Sequence, residues 1–253
     1  MLSDEELARY ARQIVLKEVG GAGQVRLKAA TVAVIGAGGI GSPAIQYLAG
    51  AGVGRLLIVD DDRVDLSNLH RQTLFGSGQQ GLPKAQQASE AARRLNPSVK
   101  ATAHDVRIDR GNAAALIRGA DAVVDGSDNF ATRLAVADAA LALRLSLVSA
   151  AVGQFEGQLA VYRGWEADKP CYRCFVGDAP DRAAASCAEA GVLGPVTGVL
   201  GSLAALEAIR AIVPFGDDPA GKLLLADLLS WRFRTLLLPK DPGCRACAQP
   251  SSD

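Results

Sequence analysis

The segment from Thr31 to Asp62 is the feature that most restricts how this chain can fold. Its sequence, TVAVIGAGGIGSPAIQYLAGAGVGRLLIVDDD, predicts a strand, a glycine turn, a helix and a second strand. The first strand, residues 31–35, is a short β-branched apolar run of the kind that is buried on both faces of a sheet. The second strand, residues 55–59, delivers Asp60 at its carboxyl end. This order of elements is typical of a parallel sheet covered by helices.

The turn between the strand and the helix carries a nucleotide-binding pattern. Gly36, Gly38 and Gly41 have the spacing G-x-G-x-x-G. The first glycine permits a tight turn, Gly38 and its neighbour Gly39 allow the backbone to approach a ligand, and Gly41 lets the helix pack on the strand. Asp60 follows about 20 residues later, where an acid hydrogen-bonds a ribose hydroxyl. We therefore predict a nucleotide site; the alternative is a tight-packing turn without a ligand.

The composition excludes several broad classes of protein. The chain has 253 residues with 27 basic and 27 acidic side chains, so nothing suggests a general polyanion or nucleic-acid binder. No uninterrupted apolar run approaches the roughly 18 residues of a membrane helix. The first residues, MLSDEELARYARQ, are charged throughout and do not resemble a signal peptide. We expect a cytoplasmic protein with no membrane partner.

The order of predicted elements indicates the fold class. Strands and helices alternate as far as Val152, which predicts an α/β, doubly wound, Rossmann-like and mostly parallel sheet. From Gln154 the pattern changes, because EGQLAVYR alternates like an antiparallel strand and LLLADLL with WRFRTLLL suggests a hairpin. No linker divides the chain. We predict one domain over 1–253, with a nucleotide-binding part at 1–153 and an antiparallel part at 154–253.

Local signals also predict the ends of several elements. Ser3 and Glu6 form a capping box, so a helix is expected from there to about Val19, with glycines 20, 21 and 23 ending it. A second helix is expected over 24–29, a strand over 99–108 and a glycine-containing helix over 194–212, whose glycines suggest close packing.

Four of the five cysteines form two C-x-x-C pairs, at Cys171 and Cys174 and at Cys244 and Cys247. Each pair can bind one metal ion from one knuckle, and two pairs complete a closed tetrahedral thiolate site. Because four sulfur ligands leave no open position, we predict a structural zinc ion. Unrelated free thiols or redox pairs are the alternative.

Two polar clusters follow predicted strands. One contains Asn68, Arg71 and Lys84, and the other contains Asp128 and Asn129. Arginine and lysine suit phosphate oxygens, and a carboxylate suits a magnesium ion that bridges phosphates. Each residue alone is more commonly part of a surface salt bridge. Together they are expected at the ligand-binding edge of one sheet, and a nicotinamide site would not need them.

Over nearly its whole length the sequence resembles the ThiF/MoeB/HesA family, the bacterial relatives of ubiquitin-activating enzymes. The motifs that carry the resemblance are, in order, RYARQIVL, GAGGIGSPA, DDRVDLSNLHRQ, PKA, DGSDNFATR, CYRC, CAEAGVLGP and the final C-x-x-C. The resemblance implies an enzyme that adenylates the C-terminal Gly-Gly carboxylate of a ubiquitin-like sulfur carrier, using ATP and magnesium. Such a carboxylate is already ionised at pH 7, so the reaction requires cations and alignment more than a general base.

The resemblance also implies roles for individual residues. Those expected to bind ATP are Gly36, Gly38, Gly39, Gly41, Asp60, Ser67, Asn68, Leu69, His70, Arg71, Lys84, Asp128 and Asn129. Those expected to take part in catalysis are Arg12, Arg71, Lys84 and Asp128, with Asp128 as the magnesium ligand. Arg12 corresponds to an arginine that reaches the phosphates of the neighbouring subunit, which implies a homodimer.

Within the family the substrate is less defined. EGQ, CAEAGV and DPGCRAC are similar to molybdopterin-synthase adenylyltransferases (MoeB), whereas WRFRTLLL is also similar to the thiamine-pathway enzymes (ThiF). His70 replaces a glutamine that is common in the family, and Cys187 resembles a cysteine that some members join to the carrier. Two other classes stay open: a nicotinamide-dependent oxidoreductase, and a non-catalytic binding protein on the same fold.

Overall fold

A computed structural model describes residues 1–178 and 191–248 of the chain. These residues contain eight strands in a single sheet. The strands are β1 (Thr31–Ile35), β2 (Arg55–Val59), β3 (Lys100–His104), β4 (Ala122–Asp125), β5 (Ser146–Gly153), β6 (Glu156–Tyr162), β7 (Lys222–Asp227) and β8 (Arg232–Leu237). Their spatial order is β3-β2-β1-β4-β5-β6-β7-β8.

The first five strands are parallel to one another, and β6, β7 and β8 extend the sheet in antiparallel fashion. This confirms the predicted mostly parallel sheet with an antiparallel extension. The register pairs Ile35 with both Val59 and Asp125, so β1, β2 and β4 end level with one another. The loops that follow these three strands therefore meet at one edge of the sheet, where open α/β sheets bind ligands.

Helices cover both faces of the sheet. They are α1 (Asp4–Ile14), α2 (Gly20–Ala29), α3 (Gly41–Gly50), α4 (Lys84–Leu95), α5 (Ala113–Ile117), α6 (Phe130–Ala142), α7 (Tyr172–Val176) and α8 (Gly194–Ile212). Side chains of α3, α4 and α8 share one hydrophobic core with Val32 and Val34 of β1. Side chains of α5, α6 and α7 share the other core with Ala33 and Ile35. Successive residues of β1 thus face alternate cores, and because both faces of the strand are covered, all five of its residues are buried.

Several predicted boundaries were wrong. The first helix ends at Ile14 rather than Val19, and Gly20 begins α2 instead of ending α1. Gly20 has a φ of +57°, which glycine adopts without strain and which redirects the chain between the two helices. Gly23 lies inside α2, where a Cβ atom would come within 2.9 Å of the Val213 side chain. The strand expected over 99–108 is confined to β3, which ends at His104, and residues 106–108 line the cavity described below.

Helix α8 spans the predicted range and contacts α3, β5 and β6. A Cβ atom on Gly201 would lie 2.3 Å from the Ile40 carbonyl oxygen, which confirms the close packing expected from its glycines. Within the described residues, α8 is the one helix whose length and composition would allow it to cross a membrane. It carries seven buried residues against the rest of the fold, as the core helix of a globular protein also does.

Candidate functional site

A cavity of about 1080 Å³ opens at the carboxyl ends of the central strands. The glycine turn, the loop after β2 and the loop after β4 form part of its wall, and residues that follow β3 or belong to β5, β6 and α6–α8 complete it. The predicted site residues that line it are Gly36, Gly38, Gly39, Asp60, Arg71, Lys84, Asp128 and Asn129. The fold therefore brings both polar clusters and the glycine turn to one site.

The glycines of the turn meet different neighbours. Gly36 has a φ of +84°, and a Cβ atom on Gly41 would lie 1.9 Å from the Gly36 carbonyl oxygen, so both positions need glycine for the turn itself. A Cβ atom on Gly39 would lie 2.9 Å from the Thr197 methyl carbon of α8. The lack of a side chain at Gly39 is therefore needed for packing against α8, in addition to any role in the approach of a ligand. Gly38 is the open position, since the only heavy atom of the described residues near its missing Cβ is Gln72 Nε2, at 3.5 Å.

Asp60 is anchored at the end of β2 by two backbone groups. The Ala37 amide donates to Asp60 Oδ2 at 2.7 Å, and the Asp62 amide donates to Oδ1 at 2.9 Å. Burial raises the pKa of the Asp60 carboxyl above its usual value, while the charge of Lys84 and the two amide hydrogen bonds oppose the rise. The carboxyl group lines the cavity in a fixed orientation, as a group that binds a ribose must.

Lys84 and Arg71 are the two predicted cations of the cavity wall, which also contains Arg107 and Arg133. Lys84 is buried at the first position of α4, and its Nζ lies 2.9 Å from Asp62 Oδ2. Arg71 donates to the Asn68 side-chain oxygen and, at 3.2 Å, to the Ser67 carbonyl oxygen. Its Nη1 also lies 2.8 Å from His70 Nε2, and because a guanidinium can only donate, the imidazole nitrogen is the acceptor of this contact.

Several predicted residues do not form the cavity wall in this chain. Asn68 and Ser67 act on Arg71 through the hydrogen bonds just described, and Gly41 packs inside the turn. The predicted site residues outside the lining are Arg12, Gly41, Ser67, Asn68, Leu69 and His70. Arg12 is exposed on α1, which is compatible with a role in a neighbouring subunit but does not test it. Cys187 lies outside the described residues.

The loop that carries Asp128 is held by two buried charged side chains. Asp125 Oδ1 accepts hydrogen bonds from the Ser127 amide at 3.0 Å and from the Ser127 hydroxyl at 2.7 Å. Arg133 of α6, buried and part of the cavity wall, donates to the Ser127 carbonyl oxygen and to the Ala150 carbonyl oxygen. Asp128 itself is exposed. The polar groups of Ser127 are thus hydrogen-bonded, whereas the adjacent Asp128 carboxylate has no ion pair within the part of the chain that the structure describes.

Sequence reasoning missed this arrangement around Ser127. It assigned roles to Asp128 and Asn129 but none to Asp125 or Arg133, although both belong to the motif DGSDNFATR. A buried acid at the end of a strand and an arginine on the next helix were the available signals. Asn129 lines the cavity and also has a structural role, because its Oδ1 accepts from the Thr132 amide at 2.9 Å and caps α6.

The four predicted zinc ligands converge. Their sulfur atoms all lie within 4.8 Å of one another. Individual separations are 3.8 Å for Cys171 and Cys174, 3.6 Å for Cys171 and Cys244, and 3.4 Å for Cys174 and Cys247. These values exclude disulfide bonds. They match the roughly 3.8 Å between sulfur atoms that share one tetrahedral metal ion with Zn–S bonds of about 2.3 Å.

Ion pairs connect this cluster to the rest of the fold. Arg173, between the first two cysteines, forms a two-pronged pair with Asp138 of α6 at 2.6 and 2.7 Å. Burial raises the pKa of the Cys171 thiol, which would leave it protonated unless a cation replaces the proton. Tyr172, in the same knuckle, lines the cavity at the strand ends. The four cysteines therefore form a closed metal site beside the cavity rather than inside it.

The sequence model of the ThiF family matches residues 10–246. The chain belongs to the ThiF family. A sulfur carrier protein adenylyltransferase from Thermus thermophilus is 48% identical over 247 residues, which covers 96% of this chain and 91% of that protein.

Longer relatives match the same region. The adenylyltransferase and sulfurtransferase MOCS3 of Anopheles gambiae is 46% identical, over 98% of this chain and 56% of its own length. MOCS3 of Bos taurus is 47% identical, over 98% of this chain and 54% of its own length. The chain therefore spans little more than half of these two relatives.

Solved structures share the fold at lower sequence identity. The crystal structure of Escherichia coli MccB with ATP superposes with a TM-score of 0.82 at 22% identity, over 95% of this chain and 75% of that one. PaaA has a TM-score of 0.79 at 22% identity, over 95% of this chain and 76% of that one. At this identity the likeness shows the fold alone.

Proposed function

We propose that the protein is an ATP-dependent adenylyltransferase that activates the C-terminal Gly-Gly carboxylate of a ubiquitin-like sulfur carrier as an acyl-adenylate and releases pyrophosphate. The observation that carries the proposal is the cavity itself. It places the cations Lys84 and Arg71 beside the glycine turn, with Asp60 and the exposed Asp128 on the same wall. The Thermus thermophilus relative, whose name is sulfur carrier protein adenylyltransferase, supports it at 48% identity.

The proposed reaction fits these side chains chemically. Attack of a carboxylate on the α-phosphorus of ATP brings two anions together, so neutralisation and alignment lower the barrier more than proton transfer does. Lys84 is buried and held by Asp62, which keeps a positive charge at a defined place in a region of low dielectric. Arg71 presents a planar fork whose orientation is set by Asn68. These two residues bind the phosphates, and Asp60 binds the ribose.

Two metal ions belong to the proposal. Magnesium, when bound, neutralises phosphate charge, and Asp128 is the residue that would hold it. Asp128 fits because it is an exposed carboxylate on the cavity wall, next to Ser127, whose own polar groups are hydrogen-bonded to Asp125 and Arg133. Zinc is the metal proposed for Cys171, Cys174, Cys244 and Cys247, since four thiolates in a closed tetrahedron are typical of structural zinc.

The carrier proposed is the molybdopterin-synthase type, which places the reaction in molybdenum cofactor biosynthesis. The MOCS3 relatives at 46% and 47% identity and the MoeB-like motifs favour it. A thiamine-pathway carrier is the second candidate, favoured by the ThiF-like segment around β8. A nicotinamide-dependent oxidoreductase would use the glycine turn and Asp60 but would have no use for Lys84 and Asp128. A binding protein without turnover is disfavoured because these polar residues converge in one cavity.

The active unit proposed is a homodimer in which Arg12 acts on the phosphates of the partner subunit. Arg12 is exposed and does not line the cavity of its own chain. Pyrophosphate exchange into ATP tests the function directly, with candidate carriers added one at a time and magnesium varied. Exchange that depends on one carrier and on magnesium is the expected result. Binding of NAD in preference to ATP, measured by direct titration, would contradict the proposal.

A further inference from the structure

The cavity at the strand ends has two chemically different halves. The charged residues of its wall all follow β2, β3 or β4 in the chain. The other half lies over β5, β6 and α7, and the side chains that these three elements contribute to the wall are uncharged: Ala151, Val152, Gln158, Tyr172, Phe175 and Val176. Because β6 is three strands away from β1, it lies about 14 Å from the strand that carries the glycine turn. A nucleotide at the glycine turn therefore leaves the uncharged half available to a second substrate.

Tyr172 has a fixed position in the wall of this uncharged half. It is the first residue of α7, between the two cysteines of the first C-x-x-C pair. Only 5% of its surface is exposed, and its ring packs edge-on against Tyr162, with the ring centroids 5.5 Å apart. The backbone on either side is joined by a hydrogen bond from the Cys174 amide to the Cys171 carbonyl oxygen at 3.1 Å. The side chain is therefore held in one orientation on the cavity wall.

The hydroxyl group of Tyr172 has a hydrogen to donate. Burial raises the pKa of this phenol, and the neighbouring positive charge of Arg133 opposes the rise. A guanidinium carries only donors, so Arg133 can offer the hydroxyl a hydrogen bond but cannot accept one from it. Within residues 1–178 and 191–248 no other group accepts the hydroxyl hydrogen. An acceptor that enters the cavity can therefore take this hydrogen bond, and the charge of Arg133 favours an anion there.

Gln158 is the second polar group on the same wall. It is half-buried on β6, directly opposite Ala151 of β5 in the sheet register. Its carboxamide both donates and accepts, as the amide groups of a peptide backbone do. Phe175 and Val176 make the rest of the α7 surface apolar. A peptide that ends in two glycines has backbone amides and one carboxylate as its only polar groups, so this half of the cavity matches such a peptide better than a phosphate chain.

We propose that the uncharged half of the cavity holds the last residues of the carrier, and that the Tyr172 hydroxyl donates a hydrogen bond to the carrier's terminal carboxylate. This inference rests on the proposed function, and it gives a substrate-binding role to a residue of the metal-binding knuckle. A hydrogen bond to a charged acceptor is stronger than one to a neutral acceptor. By holding one carboxylate oxygen, the hydroxyl orients the other toward the α-phosphorus of ATP.

The test uses Tyr172→Phe in the full-length protein, because phenylalanine retains the ring and removes only the hydroxyl. Pyrophosphate exchange is measured with the small subunit of molybdopterin synthase as the carrier. We expect kcat/KM for the carrier to fall about 10- to 100-fold. The affinity for ATP with magnesium, measured by titration without the carrier, and the zinc content should both stay at their wild-type values. This combination separates a contact with the carrier from a general effect on the fold.

Tyr162→Phe is the matched control, because Tyr162 is equally buried and packs on the same ring but does not line the cavity. It should leave the kinetics with the carrier unchanged. An unchanged kcat/KM in Tyr172→Phe would overturn the proposal, and so would an equal loss in both variants. A loss of ATP affinity in Tyr172→Phe as large as the loss of kcat/KM would also overturn it, because the hydroxyl would then contact the nucleotide.

A second measurement decides the question if Tyr172→Phe does not fold. The wild-type chain has four tyrosines, so the protein labelled with 3-fluorotyrosine gives four fluorine resonances. Phenylalanine variants of Tyr10, Tyr47 and Tyr162 assign the Tyr172 resonance by elimination. Adding unlabelled carrier with ATP should shift this resonance more than ATP alone does, and no response to the carrier would overturn the proposal. Absence of exchange by the wild-type protein with this carrier and with a thiamine-pathway carrier would instead overturn the proposed function.

Discussion

The Lys84 ammonium lies 2.9 Å from the Asp62 carboxylate, although Lys84 is 4% exposed and the Asp62 side chain is 69% exposed. The pair joins a buried cation at the start of α4 to a solvent-facing acid in the loop after β2. Removing one partner of such a pair leaves a buried charge without compensation. In the ligand-free protein, Asp62 therefore balances the positive charge of Lys84, which we propose binds a phosphate of ATP.

Asp62→Asn should lower the stability of the ligand-free protein by about 1–2 kcal/mol, a value reduced because Asp62 is exposed. ATP with magnesium should restore much of this loss, since the phosphates then balance Lys84. Thermal unfolding with and without ATP measures both effects. Asp61→Asn is the control, because Asp61 is an exposed neighbour with no ion pair in the described structure. An equal loss in both variants would show that the pair itself has no special effect.

Arg133→Lys should raise the magnesium concentration needed for activity by about 10- to 100-fold, as for residues that orient metal ligands. Arg133 Nη2 donates to the Ser127 and Ala150 carbonyl oxygens, and Nη1 donates to Ser149 Oγ at 3.1 Å. Because lysine is shorter and has a single nitrogen, it cannot make all three hydrogen bonds, and the loop before Asp128 would lose its position. The magnesium dependence of pyrophosphate exchange measures this effect. If Arg133 acts through Asp128, the double variant Arg133→Lys with Asp128→Ala should require no more magnesium than Asp128→Ala alone.

Arg173→Lys is the matched control for Arg133, because Arg173 also contacts α6, through Asp138, but lies outside the cavity wall. We expect it to lower thermal stability without changing the magnesium requirement. If Arg133→Lys and Arg173→Lys gave the same magnesium dependence, a general effect on α6 would explain both.

Cys244→Ser should remove the zinc ion and lower the Tm on the order of 10 °C, because a closed thiolate site contributes directly to folding. Elemental analysis of the purified wild-type protein should find one zinc per chain. Cys187→Ser serves as the control and should retain the metal. A wild-type protein free of zinc would contradict the assignment of the metal, although not the convergence of the four sulfur atoms.

Mixing Arg12→Ala with Lys84→Ala chains should restore activity if Arg12 acts across a dimer interface. After random exchange about half of the dimers are mixed, and each has one intact site, so about a quarter of wild-type activity is expected. Each variant alone lacks a phosphate contact in both sites and should be slower by tens- to hundreds-fold. Subunit exchange is verified first with differently tagged chains. Exchange without recovery would place Arg12 outside the partner's site.

Local sequence patterns predicted much of the fold correctly. The limits of β1, β2 and α8 were predicted to the residue, because a glycine lies at one end of each element or directly beside it. The helix-ending role given to Gly20 was wrong, because a glycine can equally redirect the chain into a new helix, and neighbouring residues do not distinguish the two.

The sequence by itself determined the class of the sheet, the glycine turn, the pairing of four cysteines, and the presence of cations and carboxylates after the strands. These features depend on residue type and short spacing. Only the tertiary structure decided that Gly39 packs on Thr197, that Asp62 balances Lys84, that Arg133 holds Ser127, and that Gln72 lies beside Gly38. Each of these facts depends on distances that folding creates between different elements, and spacing along the chain does not encode such distances.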